Sequence, residues 1–304
     1  MKILKKAVII GYGSIGQRHA KILFDLKLFE KIYIVTKQKI SSKYQKLNSL
    51  KELNKINPDY FLICSETFKH YNQLKYLVEN FKKKIIFIEK PLFEKGYQLK
   101  LNKNIVFVGY NFRFHPVIKF IKNFLKNKKK ILSTTVLCGS YLPSWRKNII
   151  YNKSYSSDKK KGGGVLLDLS HEIDYITWIL GSFTKKYFIY KKFSNLKTTS
   201  NDFVSLIGSN KKTKYMLINL DYFSKIPKRQ IIIEGDNFSL SCDLIKNSIK
   251  VKNFNKMKSI EFSKKSKDES YVLQHQNILS NSTKIACSYN EAFKLLKFID
   301  KIQN

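Results

Sequence analysis

Apolar positions over the first third of the chain come in short unbroken runs separated by stretches of helical spacing. Runs at 6–10, 31–35, 59–64, 84–88 and 104–109 are too continuous for a sheet wetted on one face. Between them, segments such as 14–26 and 69–80 carry apolar residues at helical intervals. Short all-apolar strands alternating with helices predict a parallel sheet covered on both faces. The second half reads differently. After helices over 116–125 and 162–181, strand patterns dominate at 186–192, 203–208, 214–222, 229–234, 238–242 and 249–251, and a helical pattern at 290–302 closes the chain. Strand following strand predicts a mostly antiparallel sheet with helices over one face. The expected fold is α/β: an N-terminal doubly wound parallel sheet over residues 1–115, then an α+β domain over 116–304 with an open, mostly antiparallel sheet.

Chemistry enters where strands end. Gly11-Tyr12-Gly13-Ser14-Ile15-Gly16 follows the first strand and opens the first helix. In that context the glycine spacing is a dinucleotide-binding signal: Gly11 for the tight turn, Gly13 for backbone approach to a pyrophosphate, Gly16 for helix–strand packing. The helix amino end supplies free N–H groups to the phosphates. Where NAD-selective folds place an acid, at the end of the second strand, this chain has Thr36 and Lys37. A lysine there meets a 2′-phosphate as a point charge and tilts the choice between NADP and NAD toward NADP. Beyond the fourth strand comes Glu89-Lys90-Pro91. Beyond the fifth comes Gly109-Tyr110-Asn111-Phe112-Arg113-Phe114-His115-Pro116. Ligands of doubly wound sheets bind outside the carboxyl ends of strands. Lys90 is therefore a candidate proton donor or acceptor, and Asn111 and Arg113 are expected to line the same cleft.

Residues 162–174 read Gly-Gly-Gly-Val-Leu-Leu-Asp-Leu-Ser-His-Glu-Ile-Asp. On one helix, Asp168, His171 and Asp174 form a polar stripe on an otherwise core-like element, which is costly unless its members are paired or used. The plain alternative is a satisfied pair between His171 and Asp174.

The 58 basic and 22 acidic residues leave a net charge of +36, which by itself points to nucleic acid. Only four of the basic residues are arginine (Arg18, Arg113, Arg146 and Arg229), and the lysines are scattered over the whole chain. A dedicated nucleic-acid binder concentrates arginine and aromatic residues on one face, so the charge predicts only salt-sensitive adhesion to polyanions and easy attraction of an anionic substrate. Cys64, Cys138, Cys242 and Cys287 lie far apart and form no metal or redox pair, and no metal is expected. No apolar run has the length of a membrane span, and the basic-then-apolar start leads straight into the glycine motif without a cleavage site. The expected location is cytoplasmic.

The motif order resembles the Gfo/Idh/MocA family of NAD(P)-dependent oxidoreductases over essentially the whole chain. It runs from G-x-G-x-x-G through Glu-Lys-Pro and Gly-Tyr-Asn-x-Arg-Phe-x-Pro to the triple glycine with its Asp, His and Asp. Residues 141–146, Ser154-Tyr155-Ser156 and Leu220-Asp221-Tyr222 look like a branch from bacterial surface-sugar pathways. The resemblance implies a Rossmann first domain and a second domain whose open sheet makes a homodimer or homotetramer. It implies Lys90 and His171 as catalytic residues, with Asp168 beside them. It further implies Gly11, Gly13, Ser14, Ile15, Gly16, Thr36, Lys37, Ser65, Glu89 and Lys90 against the cofactor, and Asn111, Arg113, Trp145, Arg146, Tyr155 and Asp174 against a sugar or nucleotide-sugar. Two departures stand out. The family's spacing from the helix aspartate to the histidine is four, whereas Asp168 to His171 is three, so either the helix opens with a shorter turn or Asp168 plays another part. Position 144 is Ser where that branch has an acid. Other readings of the scaffold are a sugar-modifying enzyme without net redox change and a cofactor-binding regulator.

Overall fold

The computed structural model describes residues 4–128, 130–146, 150–263, 266, 268–280 and 284–303. Two compact units result, one from Met1–Asn111 with Asp268–Lys297, the other from Phe112–Lys267 with Phe298–Asn304.

The first unit is built on β1 (Leu4–Ile10), β2 (Phe29–Val35), β3 (Gln45–Leu47), β4 (Tyr60–Ile63), β5 (Ile85–Ile88) and β6 (Ile105–Val108). Their order is β3-β2-β1-β4-β5-β6, all parallel, and the two-residue strand Cys287–Ser288 adds antiparallel to β6. This is the order of a Rossmann sheet, with its switch point between β1 and β4. Ala7 to Ile10, Tyr60 to Ile63 and Ile86 to Ile88 are all buried, which accounts for the unbroken apolar runs. Helices Ser14–Asp25 and Thr67–Asn80 form where the 3.6-residue spacing places them. Helix Glu269–Leu279 carries no such signal, because its buried positions include Gln274 and His275.

The second unit holds β7 (Ile131–Gly139), β8 (Lys185–Lys191), β9 (Phe203–Ser209), β10 (Thr213–Asp221), β11 (Lys228–Gly235), β12 (Phe238–Asp243), β13 (Ser248–Asn253) and β14 (Lys256–Glu261). The order is β14-β13-β12-β11-β7-β10-β9-β8, antiparallel throughout except where β10 runs parallel to β7. Alternate side chains such as Met216, Ile218 and Leu220 are buried, while Tyr187, Ile189, Ile207 and Tyr215 are exposed. The central strand β7 is absent from the sequence reading because Ser133, Thr134 and Thr135 interrupt its apolar pattern.

The single helix expected over 162–181 is corrected to two. Val165–Asp168 ends at Leu169, whose φ of −99° and ψ of 24° leave the helical region, and Ser170–Leu180 starts afresh. Asp168 therefore closes one helix while His171 and Asp174 belong to the next.

Candidate functional site

Register lines up the carboxyl ends of the parallel strands. Val35, Ile10, Ile63, Ile88 and Val108 are successive partners across β2, β1, β4, β5 and β6. The next residue of each strand continues the ladder by one bond. Gly11 N donates to Val35 O at 3.1 Å, Cys64 N to Ile10 O at 2.8 Å, Glu89 N to Ile63 O at 2.9 Å, and Gly109 N to Ile88 O at 2.7 Å. The glycine loop, Ser65, Glu89 and Lys90 consequently leave the sheet along one edge, with Thr36 and Lys37 at its β2 end.

The glycine loop fits a dinucleotide. Gly11 has φ +97°, and a side chain there would meet Ser65 N at 2.8 Å. At Gly16 an added Cβ would fall on the Gly11 carbonyl oxygen, so that glycine is required by packing alone. At Gly13 it would meet nothing within 4 Å. Packing does not explain Gly13, and the open space there leaves room for the backbone to approach a diphosphate. Ser14 and Ile15 begin the helix behind it, and that helix has no acidic residue in its first turn.

The Thr36 hydroxyl accepts from Gln38 N at 3.1 Å, which shapes the turn beyond β2, and Lys37 is exposed. Ser65 Oγ donates to Gln73 Oε1 at 2.6 Å. The buried His70 ring lies 3.0 Å from both Ser65 O and Pro91 O, tying the turn after β4 to the turn after β5. Burial lowers the His70 proton affinity against the pull of those carbonyls. Lys90 is half-buried at the end of β5, ahead of a cis bond to Pro91. Asn111 Nδ2 donates to Ser270 Oγ at 2.9 Å.

In the second unit, Arg113 grips Asp174 with both nitrogens. Nε reaches Oδ2 at 3.0 Å and Nη2 reaches Oδ1 at 2.7 Å, with both side chains buried. Asp168 accepts from Tyr222 OH at 2.7 Å. The negative charge of Asp168, followed by burial, pushes the Tyr155 hydroxyl up, against the opposing charge of Arg146. Arg146 stands over the Tyr155 ring at 5.0 Å, and Trp145 Nε1 donates to Ser140 Oγ at 2.8 Å. Trp145 and Arg146 also line a recess with Leu142, Tyr151, Ser154 and Ser156. His171 is buried, its ring 4.9 Å from Phe112.

Several participants carry no sequence signal. Arg229 stands 4.3 Å over Phe112 and 2.7 Å from the fully buried Glu172, an ion pair whose N–H is not aligned on the oxygen. Burial works against the Arg229 charge, but Glu172, Cys138 and Tyr175 together outweigh it, and the net shift is upward. His19 and His275 are two of only five histidines, and that rarity is the one available hint. Among the described residues, no group of three or more His, Cys, Asp or Glu could hold a metal ion, and no helix is long and apolar enough to cross a membrane.

Residues 5–110 match a family model, GFO_IDH_MocA, described as "Oxidoreductase family, NAD-binding Rossmann fold". No curated protein matches the sequence. Solved structures do match the fold over nearly the full length. A levoglucosan dehydrogenase in complex with NADH has a TM-score of 0.83 at 14% identity, covering 98% of this chain and 96% of that one. UDP-N-acetylglucosamine 3-dehydrogenase GnnA from Acidithiobacillus ferrooxidans gives 0.79 at 13% identity, with 98% and 96% covered. The WlbA dehydrogenase from Bordetella pertussis, in complex with NADH and UDP-GlcNAcA, gives 0.78 at 14% identity, with 99% and 95% covered.

Proposed function

Starting from a first domain that belongs to the Gfo/Idh/MocA family of NAD-binding oxidoreductases, we propose that the protein moves a hydride between a nicotinamide cofactor and a carbon of a sugar or nucleotide-sugar. The pathway class is bacterial surface-glycan biosynthesis. The observation that carries the reading is the shared edge of the parallel sheet, where the open Gly13 loop and Lys90 emerge together. Three relatives of like fold, a UDP-N-acetylglucosamine dehydrogenase, a dehydrogenase bound to UDP-GlcNAcA and a levoglucosan dehydrogenase, support the substrate class.

The nicotinamide, when bound, accepts or returns the hydride. The chain's own residues handle everything else. Gly11, Gly13 and the helix amino end at Ser14, Ile15 and Gly16 hold the diphosphate. Thr36 and Lys37 stand where the adenosine ribose or its 2′-phosphate is read, and they favour NADP. Ser65 and Glu89 belong to the same cofactor edge. Lys90 or His171 takes the proton from the sugar hydroxyl as the carbonyl forms, and returns it in the reverse direction. Trp145, Arg146 and Tyr155 contact the sugar. Arg146 suits a carboxylate or phosphate on it. Asn111, Arg113 and Asp174 complete the substrate set, the latter two as a locked pair. Asp168 acts through its hydrogen bond to Tyr222.

The exposed Tyr187, Ile189, Ile207 and Tyr215 on the second sheet fit a homodimer or homotetramer contact, which light scattering checks.

Titration of the protein's fluorescence with NADPH and NADH tests the cofactor half of the proposal. Tighter NADPH binding supports the Thr36 and Lys37 assignment, and failure of both to bind overturns the reading. Lys90→Ala tests the chemistry: turnover falls roughly 10²–10⁴-fold if Lys90 is the general acid/base, and unchanged turnover removes it from the mechanism. Cofactor binding without net NAD(P)H turnover on any sugar would instead favour a sugar-modifying reaction with no net redox change.

A further inference from the structure

Behind the edge that carries Lys90, four buried titratable side chains form one continuous column. Tyr60 OH lies 2.9 Å from His275 Nδ1, His275 Nε2 lies 2.7 Å from His19 Nδ1, and His19 Nε2 lies 2.8 Å from Glu89 Oε1. Tyr60, His19 and His275 are wholly buried. The second Glu89 oxygen, Oε2, accepts from the backbone N–H of Lys90 at 3.2 Å. Gly109 makes room for the carboxylate, since a Cβ there would come within 2.9 Å of Oε1. Tyr60, His19 and His275 have no part in the cofactor and substrate contacts proposed above.

With both rings neutral, donor and acceptor accounting gives the column a single direction. A carboxylate only accepts, so His19 Nε2 carries a proton and donates to Glu89. A neutral His19 then accepts at Nδ1, which makes His275 Nε2 the donor. A neutral His275 accepts at Nδ1, and the Tyr60 hydroxyl donates to it. Every polar atom of the column is satisfied in this arrangement, with both rings in the Nε2–H form. Burial above all, with the neighbouring His19 adding to it, holds the His275 proton affinity well below its ordinary value, in keeping with a neutral ring. Burial also pushes the Tyr60 hydroxyl up, so it remains a donor. The ionisable groups around the column are Cys64, His70 and Tyr271, with Arg18 and Asp268 beyond Tyr271.

We propose that Tyr60, His275 and His19 are positioning residues: a one-way hydrogen-bond column that keeps Glu89 a fixed carboxylate and, through its bond to the Lys90 amide, sets the backbone from which the Lys90 side chain projects. The inference rests on the assignment of Lys90 to proton transfer, and it extends that assignment to residues that touch neither cofactor nor sugar.

The first test is nitrogen NMR of histidine in the intact protein at neutral pH. Both His19 and His275 are expected as neutral Nε2–H tautomers. An imidazolium at His19, or an Nδ1–H form of either ring, overturns the column. The second test compares His275→Gln with His275→Leu. Glutamine offers a donor and an acceptor on neighbouring atoms as imidazole does, whereas leucine fills the space alone. In the leucine variant the Lys90 amide should exchange with solvent faster, and kcat should fall roughly tenfold or more with cofactor Kd unchanged. In the glutamine variant both should stay close to wild type. A leucine variant that matches or outperforms glutamine reduces the column to packing and overturns the positioning role. Tyr60→Phe, which removes one oxygen and leaves no large cavity, should lower kcat roughly three- to tenfold by the same route. Tautomers and amide exchange are read without turnover. If the wild-type chain oxidises no sugar, the functional reading fails while these two measurements still decide on the column.

Discussion

The Tyr222 hydroxyl donates to Asp168 at 2.7 Å in a place where both side chains are buried. Burial, with Asp168 adding to it, pushes the Tyr222 proton affinity up, so the tyrosine stays neutral beside the carboxylate. Tyr222→Phe should destabilise the protein by about 1.5–3 kcal/mol, the range for a hydrogen bond to a charged group. Urea unfolding measures the loss. The same change made on top of Asp168→Asn should cost less. Equal costs in the two backgrounds would mean the bond contributes nothing of its own.

Arg113 and Asp174 form a buried ion pair in the same unit. Removing one partner strands a charge in the interior, so Asp174→Ala should cost about 3–5 kcal/mol. Replacing both with apolar residues of similar volume should restore most of that. Denaturant melts of the two single variants and the double variant test this, and a double variant as unstable as the sum of the singles would argue against the pairing.

Gly13 and Gly16 should respond in opposite ways. Gly16→Ala drives a methyl group onto the Gly11 carbonyl and should unfold or severely destabilise the first unit. Gly13→Val adds bulk into open space, so thermal stability should be nearly unchanged. Affinity for NAD(P)H should nonetheless drop by roughly tenfold or more, about 1.4 kcal/mol. Calorimetry with a parallel melting curve separates the two effects.

These contrasts also mark what the sequence makes legible. The parallel half is readable because strands buried on both faces must be apolar throughout, and the glycine loop is readable because Gly11 and Gly16 each answer a separate steric demand. The place of Lys90 just beyond β5 is readable from the strand pattern. The break at Leu169 is not. Every residue from Val165 to Ile176 is buried, so apolar spacing says nothing about where one helix stops. β7 hides behind Ser133-Thr134-Thr135, and helix Glu269–Leu279 hides because the side chains it buries, Gln274 and His275, are polar. Their partners come from positions more than 150 residues away, and a local pattern holds no record of them.

Stability should fall on mild acidification, and His275 should carry part of the fall. Burial depresses its proton affinity well below the ordinary 6.5, so below that value the unfolded chain binds a proton that the folded ring refuses. The contribution is complete above the unfolded value and declines as pH drops through it. Between about pH 7 and about pH 5.5 the wild-type unfolding free energy should decrease, and His275→Gln should flatten the slope by up to about 1.4 kcal/mol per pH unit. Urea titrations at several pH values give both slopes, and identical slopes would show that His275 titrates normally.

The first unit is stitched together from Met1–Asn111 and Asp268–Lys297, with the whole β7-to-β14 sheet encoded between them. The ribosome therefore delivers all six parallel strands and then Phe112–Lys267 of the second unit before His275 and the strand Cys287–Ser288 emerge. Until that moment Tyr60 and His19 have no ring between them, and β6 is an uncovered edge open to pairing with another chain. A nascent chain arrested before residue 268 would expose an unsealed parallel sheet to chaperones and proteases, while its second unit would still lack Phe298–Asn304.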